Sequence, residues 1–242
     1  MSEKWLTGTV IENRHWTETL FSLRVEGAAL GFEAGQFVRI ALDIDRQRVA
    51  RAFSFVNPPQ DPVLEFYGVV VPEGPLSPRL ARLRAGDALQ VAANPAGFLV
   101  LREVPDAQTL WLVSTGTGLA PFLSMLRTDE LWKRFRNVVL VHAVRYAREL
   151  TYRELIAKTP ARYVSFVSRE SAPGSLAGRI PAAIADGRLE AAAGLELAPG
   201  NSHVMLCGNP QMLKDATAAL VQRGMRKHRR RAPGHITVES FW

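Results

Sequence analysis

The chain has little cysteine and no long run of apolar residues, and each absence excludes a class of protein. Its single cysteine, Cys207, cannot form an internal disulfide or part of a cysteine cluster, which is typical of a protein in a reducing compartment. No apolar run approaches the roughly 20 residues that a membrane-spanning helix needs. The first residues lack the basic and then apolar pattern of a secretory signal. We therefore expect a cytoplasmic protein without a metal site.

Acidic residues are fewer than basic ones, so the chain carries a formal net charge of +7 and a pI near 10.1. This balance favours an acidic partner, which can be a protein, nucleic acid or an anionic membrane. Much of the excess lies in residues 223–231, RGMRKHRRR. Such a run is most often a solvated surface, and docking of an acidic protein is the main alternative. Nucleic-acid binding is the weakest interpretation because no recognised nucleic-acid module surrounds the run.

The first hundred residues alternate short β-like runs with turn signals from Gly, Pro, Asp or Asn. Six such strands predict a small antiparallel Greek-key barrel, since closure removes exposed sheet edges. One short helix is expected at Ser77–Leu83, where Pro78 suits the first turn. The predicted strands are Leu6–Glu12, Leu20–Val25, Gln36–Leu42, Val49–Val56, Val63–Val71 and Ala88–Ala92.

Beyond residues 94–103, strand-like runs alternate with helical ones, which predicts a doubly wound parallel sheet with helices on both faces. We therefore expect two domains, residues 1–100 and residues 101–242. The predicted strands here are Leu110–Ser114, Val138–Val144, Tyr163–Ser168 and Val204–Cys207. The predicted helices are Pro121–Leu131, Leu150–Lys158, Ile180–Asp186 and Gln211–Arg223.

The fourth predicted strand carries the motif Arg51-Ala52-Phe53-Ser54. Residues two apart in a strand share a face, so Arg51 and Phe53 should point together. A guanidinium is a planar fork of donors that matches a pyrophosphate, and a neighbouring aromatic ring can stack on a flat heterocycle. The hydroxyl of Ser54 can bond a ring nitrogen. An ordinary strand with Phe53 in the core and Arg51 at the surface would show the same residues.

A second motif, Gly116-Thr117-Gly118-Leu119-Ala120-Pro121, follows an apolar run and precedes a helix. Glycines let the backbone approach a phosphate, and the helix N-terminus adds a positive dipole. Pro121 replaces the third glycine of the usual dinucleotide fingerprint, and no acid ends the next strand. Arg145 and Arg169 end the next two strands instead, and Arg179 follows. Arginines bind phosphate strongly, although each of these also suits a solvated surface.

A third motif, Cys207-Gly208-Asn209-Pro210, lies where an apolar strand runs into a helix. Asn209 can cap that helix and Pro210 suits its first position, so the turn would form without any ligand. Cys207 alone would be a small buried apolar residue. The terminal residues 238–242, VESFW, add two aromatic rings at a chain end, which favours a docked tail because free ends fray.

In this order, the three motifs resemble those of the ferredoxin–NADP+ reductase family, and most closely the bacterial ferredoxin/flavodoxin–NADP+ reductases. The resemblance runs from about Trp5 to Trp242. It implies that Arg51 binds the FAD pyrophosphate, Phe53 stacks on the isoalloxazine and Ser54 lies near the reactive nitrogen. Phe53 stands where many members have tyrosine, which keeps the stacking surface but removes a hydroxyl contact to the ribityl chain.

The resemblance also implies two sets of cofactor-binding residues. The FAD set is Arg51, Ala52, Phe53, Ser54, Phe66, Tyr67, Gly68, Val69, Gly74, Leu76, Ser77, Thr117, Phe241 and Trp242. The NADP set is Gly116, Gly118, Arg145, Ser168, Arg169, Arg179, Cys207, Gly208 and Asn209. Arg169 and Arg179 match arginines that bind the 2′-phosphate. Phe241 is expected to cover the flavin face where nicotinamide arrives, and Trp242 to contact the adenine end.

For the chemistry, the resemblance implies that Ser54 and Cys207 flank the hydride path, with Glu239 nearby as a supporting polar group. Ser77 is independently a candidate N-cap in the phosphate turn Gly74–Ser77. The implied function is electron transfer between NADPH and a one-electron carrier, an acidic ferredoxin or flavodoxin, by a monomeric FAD enzyme. The alternatives are an NAD(P)H-dependent reductase serving an oxygenase and a colourless, basic nucleic-acid-binding protein.

Overall fold

The structure, a computed structural model of the chain, describes residues 3–240. These residues form one antiparallel and one parallel sheet, each of six strands. The strands are β1 Trp5–His15, β2 Leu20–Glu26, β3 Phe37–Ile44, β4 Gln47–Ser54, β5 Leu64–Val69, β6 Ala88–Ala92, β7 Thr109–Thr115, β8 Asn137–Val144, β9 Arg162–Val167, β10 Leu176–Ala177, β11 Ser202–Gly208 and β12 Ile236–Ser240. The helices are α1 Ser77–Leu80, α2 Ala120–Leu126, α3 Asp129–Arg134, α4 Arg153–Ala157, α5 Ile180–Ala185, α6 Arg188–Ala193 and α7 Pro210–Gln222. Within the described residues, no helix is long and apolar enough to cross a membrane.

The antiparallel sheet has the strand order β4-β3-β6-β1-β2-β5 and confirms the predicted barrel. Its two edges meet through a bridge between Phe55, just after β4, and Phe66 in β5. The backbone N–H of Val56 also donates to the Glu65 carbonyl at 2.8 Å. Alternate side chains of the strands point inward and are buried, among them Leu23 and Ile40. This closure removes the sheet edges that would otherwise be open to another chain.

The parallel sheet has the order β10-β9-β8-β7-β11-β12. Residues 110–113 of β7 are all buried, because helices cover both faces of the sheet. On one face, Leu112 and Leu140 pack with α2 residues such as Phe122. On the other, Val113 packs with residues of α5, α6 and α7. The predicted parallel, doubly wound sheet is confirmed.

Three helices differ from the prediction. The expected helix Pro121–Leu131 is split into α2 and α3, because Thr128 is extended and its hydroxyl donates to the Met125 carbonyl. The expected helix Leu150–Lys158 begins only at Arg153, since Tyr152 has a left-handed backbone with φ of 56°. The helix at Ser77 ends at Leu80, and β10, α6 and β12 had no counterpart in the prediction.

The two sheets are joined by a shared core and by a chain of hydrogen bonds. Residues of the barrel side such as Val56 and Tyr67 belong to one buried cluster with Leu119 and Cys207. The Tyr152 hydroxyl donates to Glu65 Oε1 at 2.8 Å, and it lies 2.5 Å from Ser22 Oγ on β2. Since Thr151 Oγ1 also donates to the Tyr67 hydroxyl at 3.0 Å, strand β5 is held against the parallel sheet.

Candidate functional site

A row of polar residues crosses the parallel sheet near the carboxyl ends of its strands. Five residues on neighbouring strands stand in register, one from each of β12, β11, β7, β8 and β9. In spatial order they are Glu239, Cys207, Ser114, His142 and Ser165. Ligands of open parallel sheets bind at the carboxyl ends of the strands, so this row marks the candidate site.

The second and third motifs pack against each other above this row. A Cβ atom on Gly118 would lie 2.5 Å from the Cys207 carbonyl oxygen, so only glycine fits there. Gly208 has φ of +136°, and a Cβ atom on it would collide with the side chain of Thr115. The Asn209 N–H donates to Thr115 Oγ1 at 3.0 Å. Because these glycines let the two backbones approach closely, the loop at Gly116–Pro121 and the loop at Cys207–Pro210 form one continuous surface.

The start of α7 confirms the predicted capping. The Asn209 side chain accepts from the backbone N–H groups of Gln211 at 2.9 Å and Met212 at 3.3 Å, and Pro210 occupies the first position. Both features follow from the chemistry of a helix start, whose first N–H groups have no partner inside the helix. The cap fixes the direction in which the chain leaves Gly208.

On the barrel side, Ser54 is the most informative residue. It is 2% exposed, and its hydroxyl has no hydrogen-bond partner among the described residues. Buried polar atoms are nearly always paired, so an orphaned hydroxyl is a sign of a missing partner. The half-buried Phe53 ring lies beside it in sequence, edge-on to Phe66 with 6.4 Å between ring centroids. A flat heterocycle with a hydrogen-bonding ring nitrogen would satisfy both side chains.

Space around the Phe53 ring depends on Gly68 in β5. A Cβ atom there would lie 3.1 Å from Phe53 Cε1 and 2.8 Å from Phe21 Cζ. Arg51 and Ala52 are exposed, and Arg51 donates to the Ala50 carbonyl at 2.7 Å. Because Gly68 has no side chain, this position of β5 does not cover the Phe53 ring. The Arg51 guanidinium lies at the surface beside that ring.

Three other predicted flavin residues, Phe66, Tyr67 and Val69, lie on strand β5 and are buried or half-buried. Phe66 is buried in the barrel core, and Tyr67 is buried with its hydroxyl accepting from Thr151. Val69 is half-buried at the end of β5. Desolvation raises the pKa of the Tyr67 phenol, so it is neutral at ordinary pH.

The prediction that Ser77 caps a helix is wrong. Its hydroxyl instead accepts from the Val71 N–H at 2.8 Å, and the Gly74 N–H donates to the Val71 carbonyl at 2.9 Å. The helix begins at Ser77 itself, and Leu76 before it has helical backbone angles without a side-chain cap. Leu76 is buried. The Gly74–Ser77 turn is therefore closed on Val71 rather than by a cap.

The barrel and the parallel sheet meet at Gly97. A Cβ atom on Gly97 would lie 3.1 Å from Glu239 Oε2 and 3.3 Å from the Phe37 ring. Phe37 pairs in register with Ser54, and Glu239 pairs with Cys207. Of the three residues predicted to carry the chemistry, Glu239 and Cys207 are therefore neighbours on adjacent strands, and Ser54 lies on the barrel strand paired with the Phe37 that borders the same glycine.

The electrostatics of this junction favour neutral groups. Burial raises the pKa of Glu239 to about 7, although the backbone N–H groups of Phe98 and Leu99 act to lower it. Its Oε1 is buried and has no hydrogen-bond partner within residues 3–240. Burial, with the nearby Glu239 carboxylate, raises the pKa of the Cys207 thiol, which is therefore not a thiolate. Burial also lowers the pKa of His142 to about 4, so that its imidazole is neutral.

Arg145 and Arg169 lie at the carboxyl edge of the parallel sheet, as predicted, and Arg179 follows the short strand β10 at the same edge. The Arg169 N–H donates to the Arg145 carbonyl at 3.0 Å, which ties together the ends of β8 and β9. Ser168 is exposed between them, and its hydroxyl donates to the Val144 carbonyl at 3.1 Å. Arg179 precedes α5 and is also exposed. Within residues 3–240 none of the three guanidinium groups forms an ion pair, since the two nearby carboxylates, of Glu149 and Glu170, accept from backbone N–H groups of residues 145–147 instead.

The arginine-rich segment 223–231 is only partly a solvated surface. Arg223 forms an ion pair with Glu190 at 2.5 Å, and Arg230 forms one with Glu103 at 2.6 Å. The four other basic residues, Arg226, Lys227, Arg229 and Arg231, are exposed. Lys227 bridges to the first residue of β12, so the segment lies at the amino end of that strand, away from the polar row.

Ser114 and His142 were not predicted as site residues from the sequence, although the structure places both in the polar row. The signal was a polar residue near the end of each otherwise apolar strand, LWLVST and VVLVHAV. Phe241 and Trp242, predicted to cover the flavin, lie outside the described residues. Strand β12 precedes them directly and aligns Glu239 with Cys207.

The fold and the site define a two-part oxidoreductase. A family model described as an oxidoreductase FAD-binding domain matches residues 9–99, and one described as an oxidoreductase NAD-binding domain matches residues 112–218. The Shigella flexneri flavodoxin/ferredoxin–NADP reductase is 52% identical over 98% of this chain and 99% of its own length. The Escherichia coli (strain K12) protein of that name is 51% identical over the same shares.

The chain belongs to the flavodoxin/ferredoxin–NADP reductase family, as its motifs predicted. A solved structure has the same fold over the full length of both chains. It is a ferredoxin NADP+ reductase from Neisseria gonorrhoeae with bound FAD and NADP, with a TM-score of 0.95 and 32% sequence identity.

Proposed function

We propose that this chain is an FAD-dependent reductase that transfers electrons between NADPH and a ferredoxin or flavodoxin. Its family supports the activity, since relatives that cover the whole chain carry that name. The observation in the structure that carries the proposal is the junction at Gly97, where Phe37, the strand partner of Ser54 with its orphaned hydroxyl, and Glu239, the strand partner of Cys207, both lie against one glycine.

The flavin is held by the barrel. Arg51 binds the pyrophosphate, Phe53 stacks on the isoalloxazine, and the Ser54 hydroxyl bonds a ring nitrogen. The remaining flavin contacts come from Ala52, Phe66, Tyr67, Gly68, Val69, Gly74, Leu76, Ser77 and Thr117, with Phe241 and Trp242 from the tail. When bound, FAD supplies the conversion between two-electron hydride exchange and single-electron release.

The nucleotide is held by the loop surface of the parallel sheet. Gly116, Gly118, Gly208 and Asn209 let its diphosphate approach the backbone. The free guanidinium groups of Arg145, Arg169 and Arg179, with Ser168 beside them, bind the 2′-phosphate and select NADP(H). Arginine–phosphate pairs are strong because each offers a planar fork of donors to oxygen.

The chain's own residues keep the transfer path dry and neutral. Cys207 is fully buried in the core shared by the two sheets, so its thiol is a neutral, apolar group beneath the place where the nicotinamide is expected. Glu239, whose pKa is raised to about 7, holds a proton near the junction at neutral pH and below. Its role is to support the site as a neutral polar group beside Cys207.

Each of the two sheets is assigned to the binding of one cofactor. We propose that residues 1–100 form the FAD domain and residues 101–242 the NADP(H) domain, with the tail returning to the flavin. Support comes from the family models, whose matches fall on either side of residues 100–111. The protein partner is an acidic carrier that meets the exposed basic residues, and the enzyme works as a cytoplasmic monomer.

The deciding experiment begins with the purified protein. It should be yellow and release FAD, rather than FMN, on denaturation, and it should reduce a ferredoxin or flavodoxin with NADPH. The oxygenase-reductase alternative predicts poor rates with these carriers. The nucleic-acid alternative predicts a colourless protein whose binding to DNA falls steeply with salt. Release of FMN alone, or no flavin, would overturn the proposal.

A further inference from the structure

His142 is a buried histidine that the proposed chemistry does not use. It is 0% exposed and lies in the polar row on the face of the sheet covered by α2. Its Nε2 lies 3.2 Å from the carbonyl oxygen of Gly116, the first residue of the nucleotide loop. Its Nδ1 is buried without a hydrogen-bond partner among the described residues.

The contact fixes the state of the ring. A carbonyl oxygen only accepts hydrogen bonds, so Nε2 must carry the proton and donate it. Nδ1 is then a bare acceptor with no donor, which is unfavourable for an atom kept from water. An apolar residue would fill this place without that cost, as Leu140 does on the same face. The retained imidazole is therefore explained by what its Nε2–H does at Gly116.

The effect on the loop follows from peptide geometry. In a trans peptide the C=O and the next N–H point in opposite directions across a rigid plane. Holding the Gly116 carbonyl toward the sheet directs the Thr117 N–H away from it. Gly116 has φ of +53°, a left-handed conformation that glycine adopts readily but does not adopt exclusively. Gly116 also opens a short 3-10 helical turn, Gly116–Leu119, and the His142 hydrogen bond ties the carbonyl of its first residue to the sheet beneath it.

We propose that His142 is a positioning residue for the nucleotide loop, which holds the Gly116 carbonyl so that the Thr117 N–H faces the diphosphate of NADP(H). The proposal rests on the proposed function, because it assumes that this loop binds the diphosphate. It assigns no direct ligand contact to His142, which lies beneath the loop. The expected effect is on the affinity for nucleotides with a diphosphate, equally for NADPH and NADH.

The test compares two side chains of similar length at this position. His142→Gln keeps a donor in the place of Nε2, whereas His142→Met is apolar and fits the buried face without a donor. The dissociation constant for NADP+ should rise about 3- to 10-fold in His142→Met and stay near the wild-type value in His142→Gln, as expected for one hydrogen bond. Binding of adenosine 2′-monophosphate, which has no diphosphate, should be unchanged in both, as should flavin content.

Each other outcome overturns this inference. Equal affinity for NADP+ in His142→Met and wild type would remove the role of the hydrogen bond, and so would equal losses of affinity for NADP+ and for adenosine 2′-monophosphate. In the wild-type holoenzyme, the ¹⁵N-labelled Thr117 amide should shift on titration with NADP+ but not with adenosine 2′-monophosphate. An unmoved amide would contradict the proposal even if the variants fail to fold. Wild-type protein that does not bind NADP+ would instead refute the proposed function.

Discussion

At the scale of single residues, the account depends on side chains whose polar groups lack partners. Among the described residues, Ser54 and His142 each carry a buried polar atom without a hydrogen bond, and the guanidinium groups of Arg145, Arg169 and Arg179 form no ion pair. A buried polar group without a partner reduces stability, so the Ser54 hydroxyl indicates a ligand at the barrel, whereas the unpaired Nδ1 of His142 accompanies the hydrogen bond that its Nε2 donates to Gly116. Each can be removed by a small substitution.

Ser54→Ala should separate stability from chemistry. In the flavin-free protein the substitution removes an orphaned buried hydroxyl, so the melting temperature should stay the same or rise. In the flavin-loaded enzyme it removes a hydrogen bond, and flavin reduction by NADPH should slow about 3- to 10-fold. Thermal melts and stopped-flow absorbance measure the two effects. A less stable apoprotein with unchanged reduction kinetics would contradict the role of Ser54.

Arg169→Ala and Arg179→Ala should each lower kcat/KM for NADPH and leave kcat/KM for NADH almost unchanged. A lost charged hydrogen bond to the 2′-phosphate corresponds to about 1.5–3 kcal/mol in kcat/KM. Arg136→Ala is the control, because it is an exposed arginine at the opposite end of β8. Steady-state kinetics with both nucleotides provide the comparison. Equal losses with NADH would show that these arginines do not bind the 2′-phosphate.

At the scale of elements, the sequence predicted long periodic segments well and short ones poorly. The barrel strands and β7, β8, β9 and β11 follow from alternating or fully apolar runs. Strand β10 has only two residues, and α6 follows α5 after a tight turn at Gly187, so neither shows a period. The glycine motifs were found, but the row containing Ser114 and His142 was not, because register between strands is not visible in one sequence.

Gly118→Ala should disrupt the contact between the two loop motifs. Its new Cβ would lie 2.5 Å from the backbone of Cys207, which cannot move aside as a flexible side chain would. We expect a loss of about 1–3 kcal/mol in unfolding free energy and a large loss of NADP+ affinity. Gly200→Ala is the control, since nothing lies within 4 Å of the added methyl group. Similar effects of both substitutions would refute the packing argument.

Strand β12 makes stability depend on pH through Glu239. Its pKa of about 7 in the fold exceeds the value near 4.3 of an unfolded chain, so the folded state binds the proton more tightly. This contribution is full below pH of about 4 and is lost as pH rises toward 7. Glu239→Gln, a neutral mimic, should match wild type near pH 4 and be about 1–3 kcal/mol more stable above pH 7. Denaturant unfolding of both proteins across this pH range measures the difference in unfolding free energy. A difference that does not change with pH would contradict the role of Glu239.

At the scale of the whole molecule, the positive charge of +7 is the feature that bears on the partner. The sequence located the basic run but not which of its residues are free, because that depends on contacts between distant segments. Arg230, for example, is paired with Glu103, more than a hundred residues earlier in the chain. The exposed Arg226 and Arg229 are therefore better tests of docking than Arg230.

Reversing charge at Arg226 and Arg229 should slow electron delivery to the carrier. Each exposed charge contributes at most about 1 kcal/mol, so the double variant should lower kcat/KM for ferredoxin or flavodoxin about 3- to 10-fold at low salt. The difference should vanish at high salt, where surface charges are screened. Reversal at Arg136 and Lys158, which flank β8 and β9, is the matched control, and a neutral quinone is the control acceptor. A carrier rate independent of ionic strength would remove the docking argument.

The most direct test of the central claim is an anaerobic sequential-mixing experiment on the wild-type protein. NADPH is mixed first, and then an oxidised ferredoxin or flavodoxin, while the flavin absorbance is followed. We expect that NADPH bleaches the bound FAD, that NADH does so far more weakly, and that the carrier restores the oxidised spectrum. A flavin that NADPH does not bleach, or that the carrier does not reoxidise, would contradict the assignment of this chain as an NADPH-dependent reductase of one-electron carriers.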